Sequence, residues 1–252
     1  MKIDLFQYNP VWENKDKNRA KITSMLEGGF YGSDLLVFPE MTLTGFSMHP
    51  EKLAEPLAGE SFFYFSEISK KYNSDILAGI IEKDGDKYYN TLLHIDDGKL
   101  KAHYRKIHPF SYSTEDKHYI RGEKTVITEI RNFSTGLSIC YDLRFPELYR
   151  QYGKARAELI IVLANWPDTR IEHWRILLKA RAIENQCYVA GVNRVGKDPK
   201  LNYTGFSSVI DPAGKKIISV ADSEKIISAE LSKNCVEEVR AKLPFLNDIF
   251  LI

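Results

Sequence analysis

Three side chains suited to amide chemistry stand where apparent strands end. Glu40 follows Leu35-Leu36-Val37-Phe38-Pro39, Lys106 follows His103-Tyr104-Arg105, and Cys140 follows Leu137-Ser138-Ile139. A cysteine is a strong nucleophile only as thiolate, and its ordinary pKa of about 8.5 calls for a neighbouring base or cation at neutral pH. Glu40 can take the proton if a dry or acidic setting lifts its carboxyl above the ordinary ~4.3. Attack on an amide carbonyl places negative charge on oxygen, where a fixed cation (Lys106) and the backbone N–H of Tyr141 together stabilise it by on the order of 3 kcal/mol. Water then attacks the thioester with help from the regenerated carboxylate. Each residue alone also has a plainer reading: Glu40 as a loop carboxylate, Lys106 as part of a basic edge with Arg105 and His108, Cys140 as a buried thiol. Cys187 reads as a core thiol.

Convergence of the three requires elements that end together. Apolar runs rich in β-branched and aromatic residues mark strands near Ile3 to Gln7, Leu35 to Phe38, Asp75 to Ile81, Tyr88 to Ile95, Lys99 to Tyr104, Phe133 to Ile139, Leu159 to Leu163 and Tyr188 to Val192. Three more follow near Gly205 to Ile210, Lys215 to Val220 and Ile226 to Glu230, with a short terminal helix after them. Helical period falls between the strands: Glu13 to Glu27 with Ala20, Ile22 and Leu26 on one face, Glu60 to Tyr72, a helix opened by Pro146, and a face of Ile171, Trp174, Leu177, Leu178 and Ala182. Strands alternating with helices predict an α/β fold, in which ligands collect at the carboxyl ends of strands.

Bulk properties narrow the function. The 252 residues carry 35 Lys and Arg against 34 Asp and Glu, a formal charge of +1, so no long-range field draws in nucleic acid or an anionic membrane. The densest apolar run, Leu159 to Ala164, is far short of the ~20 residues that cross a bilayer. Cys140, Cys187 and Cys235 are odd in number and widely spaced, which suits neither a disulfide framework nor a metal site and points to a reducing cytoplasm. No repeat or linker interrupts the chain, so residues 1–252 read as one domain.

The segments Leu-Leu-Val-Phe-Pro-Glu around Glu40, Tyr-Arg-Lys-Ile-His around Lys106 and Leu-Ser-Ile-Cys-Tyr-Asp-Leu-Arg-Phe-Pro-Glu around Cys140 closely resemble the motifs of the nitrilase (carbon-nitrogen hydrolase) superfamily, in the same order and spacing over essentially the whole chain. The resemblance implies a four-layer αββα sandwich that pairs with a second subunit as a homodimer, with no metal or organic cofactor. It assigns catalysis to Glu40, Lys106 and Cys140. It adds Glu115, in Ser-Thr-Glu-Asp-Lys-His-Tyr, to orient Lys106 and the attacking water. A narrower resemblance is to bacterial omega-amidases, which hydrolyse the terminal amide of 2-oxoglutaramate and 2-oxosuccinamate. It rests on Pro39 to Met48, Ala-Asn-Trp-Pro from Ala164, His173-Trp174, Ala-Arg-Ala-Ile-Glu-Asn-Gln ending at Gln186, and Tyr-Val-Ala-Gly-Val-Asn-Arg-Val-Gly from Tyr188.

A keto-acid amide carries a carboxylate, which arginine holds bidentately, and Arg144 and Arg170 are the candidates. Arg144 has a second reading, bracing Cys140 through a buried ion pair with Asp142 or a glutamate. Phe46, Tyr112 and Trp166 are candidate pocket walls. Four other readings compete. A Cys-His hydrolase would use His108, His118 or His173 as base, but no cysteine-protease signature surrounds Cys140. A zinc hydrolase lacks close His/Cys spacing. A binding module on the same fold would not need the glutamates, lysine and cysteine together. Other amidases of the superfamily, or N-carbamoyl amino acid hydrolases, share the same residues.

Overall fold

The computed structural model describes residues 1–30 and 32–250. The elements run β1 (Lys2–Gln7), α1 (Lys15–Gly29), β2 (Leu35–Val37), α2 (Pro50–Leu53), α3 (Glu60–Tyr72), β3 (Asp75–Asp84), β4 (Lys87–Asp96) and β5 (Lys99–Arg105). The second half follows with β6 (Ile127–Ile130), β7 (Phe133–Ile139), α4 (Pro146–Lys154), β8 (Leu159–Ala164), α5 (Ile171–Asn185), β9 (Tyr188–Asn193), β10 (Val195–Lys197), β11 (Asn202–Ile210), β12 (Lys216–Ala221), β13 (Lys225–Glu230) and α6 (Lys233–Lys242).

Two sheets form, one in the order β13-β1-β2-β3-β4-β5 and the other β10-β11-β9-β8-β7-β6, with β12 paired to β11. Period-2 alternation sorts the strand residues between two buried faces, as expected where a sheet is covered on both sides. Ile3, Leu5, Leu35, Val37 and Leu77 meet Leu137, Ile139, Leu159, Ile161 and Leu163 between the sheets. The alternate residues face outward: Phe6, Leu36, Phe38, Ile76 and Ala78 pack under Ile22 and Leu26 of α1 and Phe65 and Ile68 of α3. Ile160, Val162 and Val189 likewise pack under Tyr149 and Tyr152 of α4 and Trp174, Leu178 and Ala182 of α5. The layers are therefore α, β, β, α, the expected sandwich.

One helical face differs from expectation. Ala20 is exposed, and the buried residues of α1 are Asn18, Ile22 and Leu26. Strict i, i+4 spacing places these three on one stripe, while Ala20 lies about 200° round the helix from Ile22. Asn18 is buried because it works as a polar staple, donating to Val11 O and Leu43 O and accepting from the Val11 amide. The strand β6 and the short elements α2 and β10 were not anticipated from periodicity; at three or four residues each they are too short to show one.

The topology also fixes where side chains can converge. β1, β2 and β3 are mutually parallel, as are β7, β8 and β9. The antiparallel β3-β4-β5 meander returns β5 to the direction of β3. The carboxyl ends of β2, β5, β7, β8 and β9 then lead directly into Glu40, Lys106, Cys140, Asn165 and Arg194.

Candidate active site

Glu40, Lys106 and Glu115 form a cluster with at most 1% exposure on any member. Lys106 Nζ donates to Glu40 Oε1 at 2.8 Å and to Glu115 Oε2 at 2.8 Å and Oε1 at 3.1 Å. The Asn90 amide donates to Glu40 Oε1 (2.7 Å) and Glu115 Oε1 (2.9 Å). The Asn165 backbone N–H donates to Glu40 Oε2 (2.9 Å), while its side chain donates to the Glu40 carbonyl (2.7 Å). The backbone amide of Phe110 donates to Glu115 Oε2. Each carboxylate is thus held by directed donors from several strands, which fixes it without a mobile counter-ion.

Two carboxylates share one ammonium, and the electrostatics follow from that imbalance. Burial pushes the Glu115 carboxyl up, the facing ammonium of Lys106 opposes this, and the nearby Glu40 charge adds to the rise. Burial works against the Lys106 ammonium, but the Glu115 and Glu40 carboxylates outweigh it and hold the lysine charged above its usual range. Burial and the Glu40 charge push the Cys140 thiol well above the ordinary cysteine range, with Lys106 and the Asn165 backbone amide pulling it back. This environment favours the thiol over the thiolate.

Local backbone geometry aims these groups. Cys140 sits at φ +45°, in the left-handed region that costs a non-glycine residue about 1–2 kcal/mol. It opens a 3-10 turn, Cys140–Arg144, immediately after β7. Asp142 holds that turn in place. Its Oδ2 accepts from the Ile139 amide (2.9 Å) and the Tyr104 hydroxyl (2.7 Å), and its Oδ1 from the amide (3.0 Å) and Nδ1 (2.8 Å) of His108. One buried carboxylate therefore ties the cysteine turn to the loop that carries Lys106. Met41, next to Glu40, is also left-handed at φ +45°. The Glu40 turn passes so close to β3 that a Cβ on Gly79 would stand 2.5 Å from the Met41 nitrogen, so this strand position requires glycine.

Cys140 reaches a cavity of about 260 Å3 whose wall includes Tyr141, Arg144, Trp166, Arg170, Phe46 and Phe110. Arg144 Cζ lies 4.7 Å from the Trp166 ring centroid and Arg170 Cζ 5.3 Å from that of Phe110. Burial and the neighbouring Arg170 charge lower the Arg144 pKa, the signature of two cations facing one space. Among the described residues neither arginine forms an ion pair with a carboxylate. On the opposite wall, Asp198 is occupied by the Lys200 and Leu201 amides and the Tyr203 hydroxyl.

Two expectations are corrected. Tyr112 is 85% exposed and absent from the cavity wall, because the 3-10 turn Ser111–Ser113 turns it outward; Phe110 and Ser113 line the cavity instead. The ion pair between Arg144 and Asp142 is absent, since Asp142 is saturated by the donors above and Arg144 bonds to His173. His108 and His173 direct Nδ1 to Asp142 and Arg144, and His118 is exposed. Asn90, Asn165 and Asp142 were missed as members of the site, although an asparagine inside the apolar run of β4 and another at the end of the wholly apolar β8 were signals in plain view.

Comparison with known proteins places the chain in a family. The family model for carbon-nitrogen hydrolases matches residues 2–241. The chain belongs to the carbon-nitrogen hydrolase family. It is similar to the omega-amidase YafV of Escherichia coli K12, at 38% identity over 252 residues covering 98% of this chain and 96% of the relative. It is also similar to the 2-oxoglutaramate amidase of Bacillus subtilis, at 31% identity over 98% and 96% of the two chains. Among solved structures, XC1258 of Xanthomonas campestris, a CN-hydrolase superfamily protein described with an arsenic adduct in its active site, superposes with a TM-score of 0.95 at 31% identity over 100% of this chain and 98% of that one. This carbon-nitrogen hydrolase is thus an enzyme for breaking carbon-nitrogen bonds. No helix among its described residues is long and apolar enough to cross a membrane.

Proposed function

We propose that the protein hydrolyses the terminal amide of a small keto-acid amide, of the 2-oxoglutaramate and 2-oxosuccinamate class, through a thioester on Cys140. The observation that carries the reading is a cysteine facing a cavity with two arginines on its wall that form no ion pair among the described residues, backed by a buried lysine with two carboxylates. Its similarity to an omega-amidase and a 2-oxoglutaramate amidase supports the same substrate class.

In this mechanism the substrate carboxylate lies between Arg144 and Arg170, which delivers the far amide to Cys140. Glu40 removes the thiol proton as Sγ attacks the carbonyl carbon, and the oxyanion is held by Lys106 and the Tyr141 backbone N–H. Collapse of the tetrahedral species breaks the C–N bond, and the proton held by Glu40 leaves with the nitrogen as ammonia. Water then gives a proton to Glu40 and attacks the thioester, releasing the acid and the thiol. Glu115 keeps Lys106 charged and aimed throughout. Trp166 and Phe46 wall the pocket, and no cofactor is required. The reading extends to a single domain over 1–252 working as a homodimer in a reducing cytoplasm, and light scattering on the purified chain tests the dimer.

Ammonia release from 2-oxoglutaramate tests the activity, with glutamine, an aliphatic amide and an N-carbamoyl amino acid as comparison substrates. Turnover of the keto amide far above the others, abolished in Cys140→Ala, is the expected result. Preference for one of the comparison substrates would overturn the substrate class.

A further inference from the structure

His173 lies on the first turn of α5, outside the buried cluster, and is exposed to solvent. Both terminal nitrogens of Arg144 lie 3.2 Å from its Nδ1. A guanidinium has only donors, so Nδ1 is the acceptor and a neutral ring carries its proton on Nε2. The same guanidinium is stacked over Trp166. Trp166 is in turn fixed by its indole N–H donating to Arg170 O at 2.8 Å and by packing 5.6 Å from the Trp174 ring. The carboxylates that would compete for Arg144 are engaged elsewhere, Asp142 on the cysteine turn and Asp198 on its own loop.

We propose that His173 is a positioning residue for substrate recognition: it accepts two N–H groups of Arg144, holds the guanidinium against Trp166, and leaves the remaining N–H donors for a substrate carboxylate. Arginine loses much rotamer freedom when it grips an anion, and a partner that imposes the geometry beforehand removes that cost from binding. His173 therefore acts on affinity for carboxylate-bearing ligands and not on the chemistry at Cys140. The inference rests on the keto-acid reading for its choice of ligand.

The test uses calorimetric titration of 2-oxoglutarate into the Cys140→Ala chain, where no turnover obscures binding. His173→Leu is expected to weaken binding about tenfold. His173→Asn places an amide oxygen near the position of Nδ1 and is expected to restore affinity to within about threefold, which a merely structural role for the ring would not do. In an Arg144→Ala background His173→Leu is expected to add no further loss, because the two act through one contact. Unchanged affinity in His173→Leu, failure of the Asn variant to rescue, a full tenfold loss persisting without Arg144, or no binding of 2-oxoglutarate by the parent would each overturn the proposal. Ammonia release by the wild-type chain is measured separately. Turnover of the keto amide with an uncoupled His173 sinks the positioning role alone, whereas coupling without that turnover sinks the substrate assignment alone.

Discussion

Two charge clusters sit at opposite ends of the same sheets and are built to different rules. At the start of β3, Asp75 pairs with Arg131 (3.1 Å) and with His94 Nε2 (2.8 Å), while His94 Nδ1 meets the Thr128 hydroxyl (2.8 Å), linking β4 of one sheet to β6 of the other. One carboxylate there meets one arginine, and Arg131, itself exposed, also donates to the Asn73 carbonyl. At the carboxyl ends, Glu40 and Glu115 share one lysine, the Glu115 carboxyl and Cys140 thiol are both pushed up, and Cys140 and Met41 occupy left-handed backbone. The matched cluster joins two sheets. The unmatched one holds two carboxylates on one lysine beside a thiol pushed up, at the cost of buried charge and backbone strain.

The largest effect that would break this contrast is at the nucleophile. Cys140→Ala is expected to lower kcat at least ~10^4-fold while the far-UV circular dichroism stays that of the wild type. Lys106→Met is next, with kcat down about 10^3-fold in ammonia-release assays and about 3 kcal/mol lost in urea unfolding at pH 7, because two buried carboxylates lose their cation. Arg144→Ala is expected to raise KM for 2-oxoglutaramate about 10- to 100-fold with kcat nearly unchanged.

Glu115 sharpens the comparison through pH. Its folded pKa is raised above the ordinary 4.5, so the protonated form is favoured in the folded state, and this contribution is full below pH 4.5 and lost as pH rises through the folded value. Glu115→Gln mimics the protonated form. Its amide nitrogen faces an N–H donor, since both Glu115 oxygens accept, so the variant starts below wild-type stability at acid pH and the deficit narrows as pH rises above 4.5, which paired thermal melts from pH 4 to 7 would record. The smallest effect on activity belongs to the matched cluster: Thr128→Val is expected to cost about 1 kcal/mol of stability and to leave kcat/KM within about twofold. A catalytic loss there as large as that of Lys106→Met would erase the distinction.

How legible each part was in the sequence follows from how its information is stored. Glu40, Lys106 and Cys140 stand at strand ends that the sequence marks, and the sheet topology brings those ends to one edge. Glu115 lies in a 3-10 turn, Glu115–Lys117, with no periodicity of its own, so only the family resemblance drew attention to it. Asn90 and Asn165 look like interruptions of apolar runs until the fold shows them donating to the two carboxylates. Asp142 reads as an acidic neighbour of Cys140, and its four donors come from β5, the loop after it and the end of β7, a convergence between two sheets that no local pattern displays. Tyr112 shows the reverse error: an aromatic near the motifs is no guide to orientation when the backbone is a 3-10 turn rather than a strand.

The most direct measurement is acid quench of the enzyme turning over 2-oxoglutaramate, followed by peptide mass mapping. The expected result is an acyl adduct, the substrate less ammonia, on the peptide carrying Cys140 and on no other cysteine, absent from Cys140→Ala. Steady ammonia release with unmodified Cys140, or an adduct at Cys187 or Cys235, would contradict the assignment of Cys140 as the nucleophile.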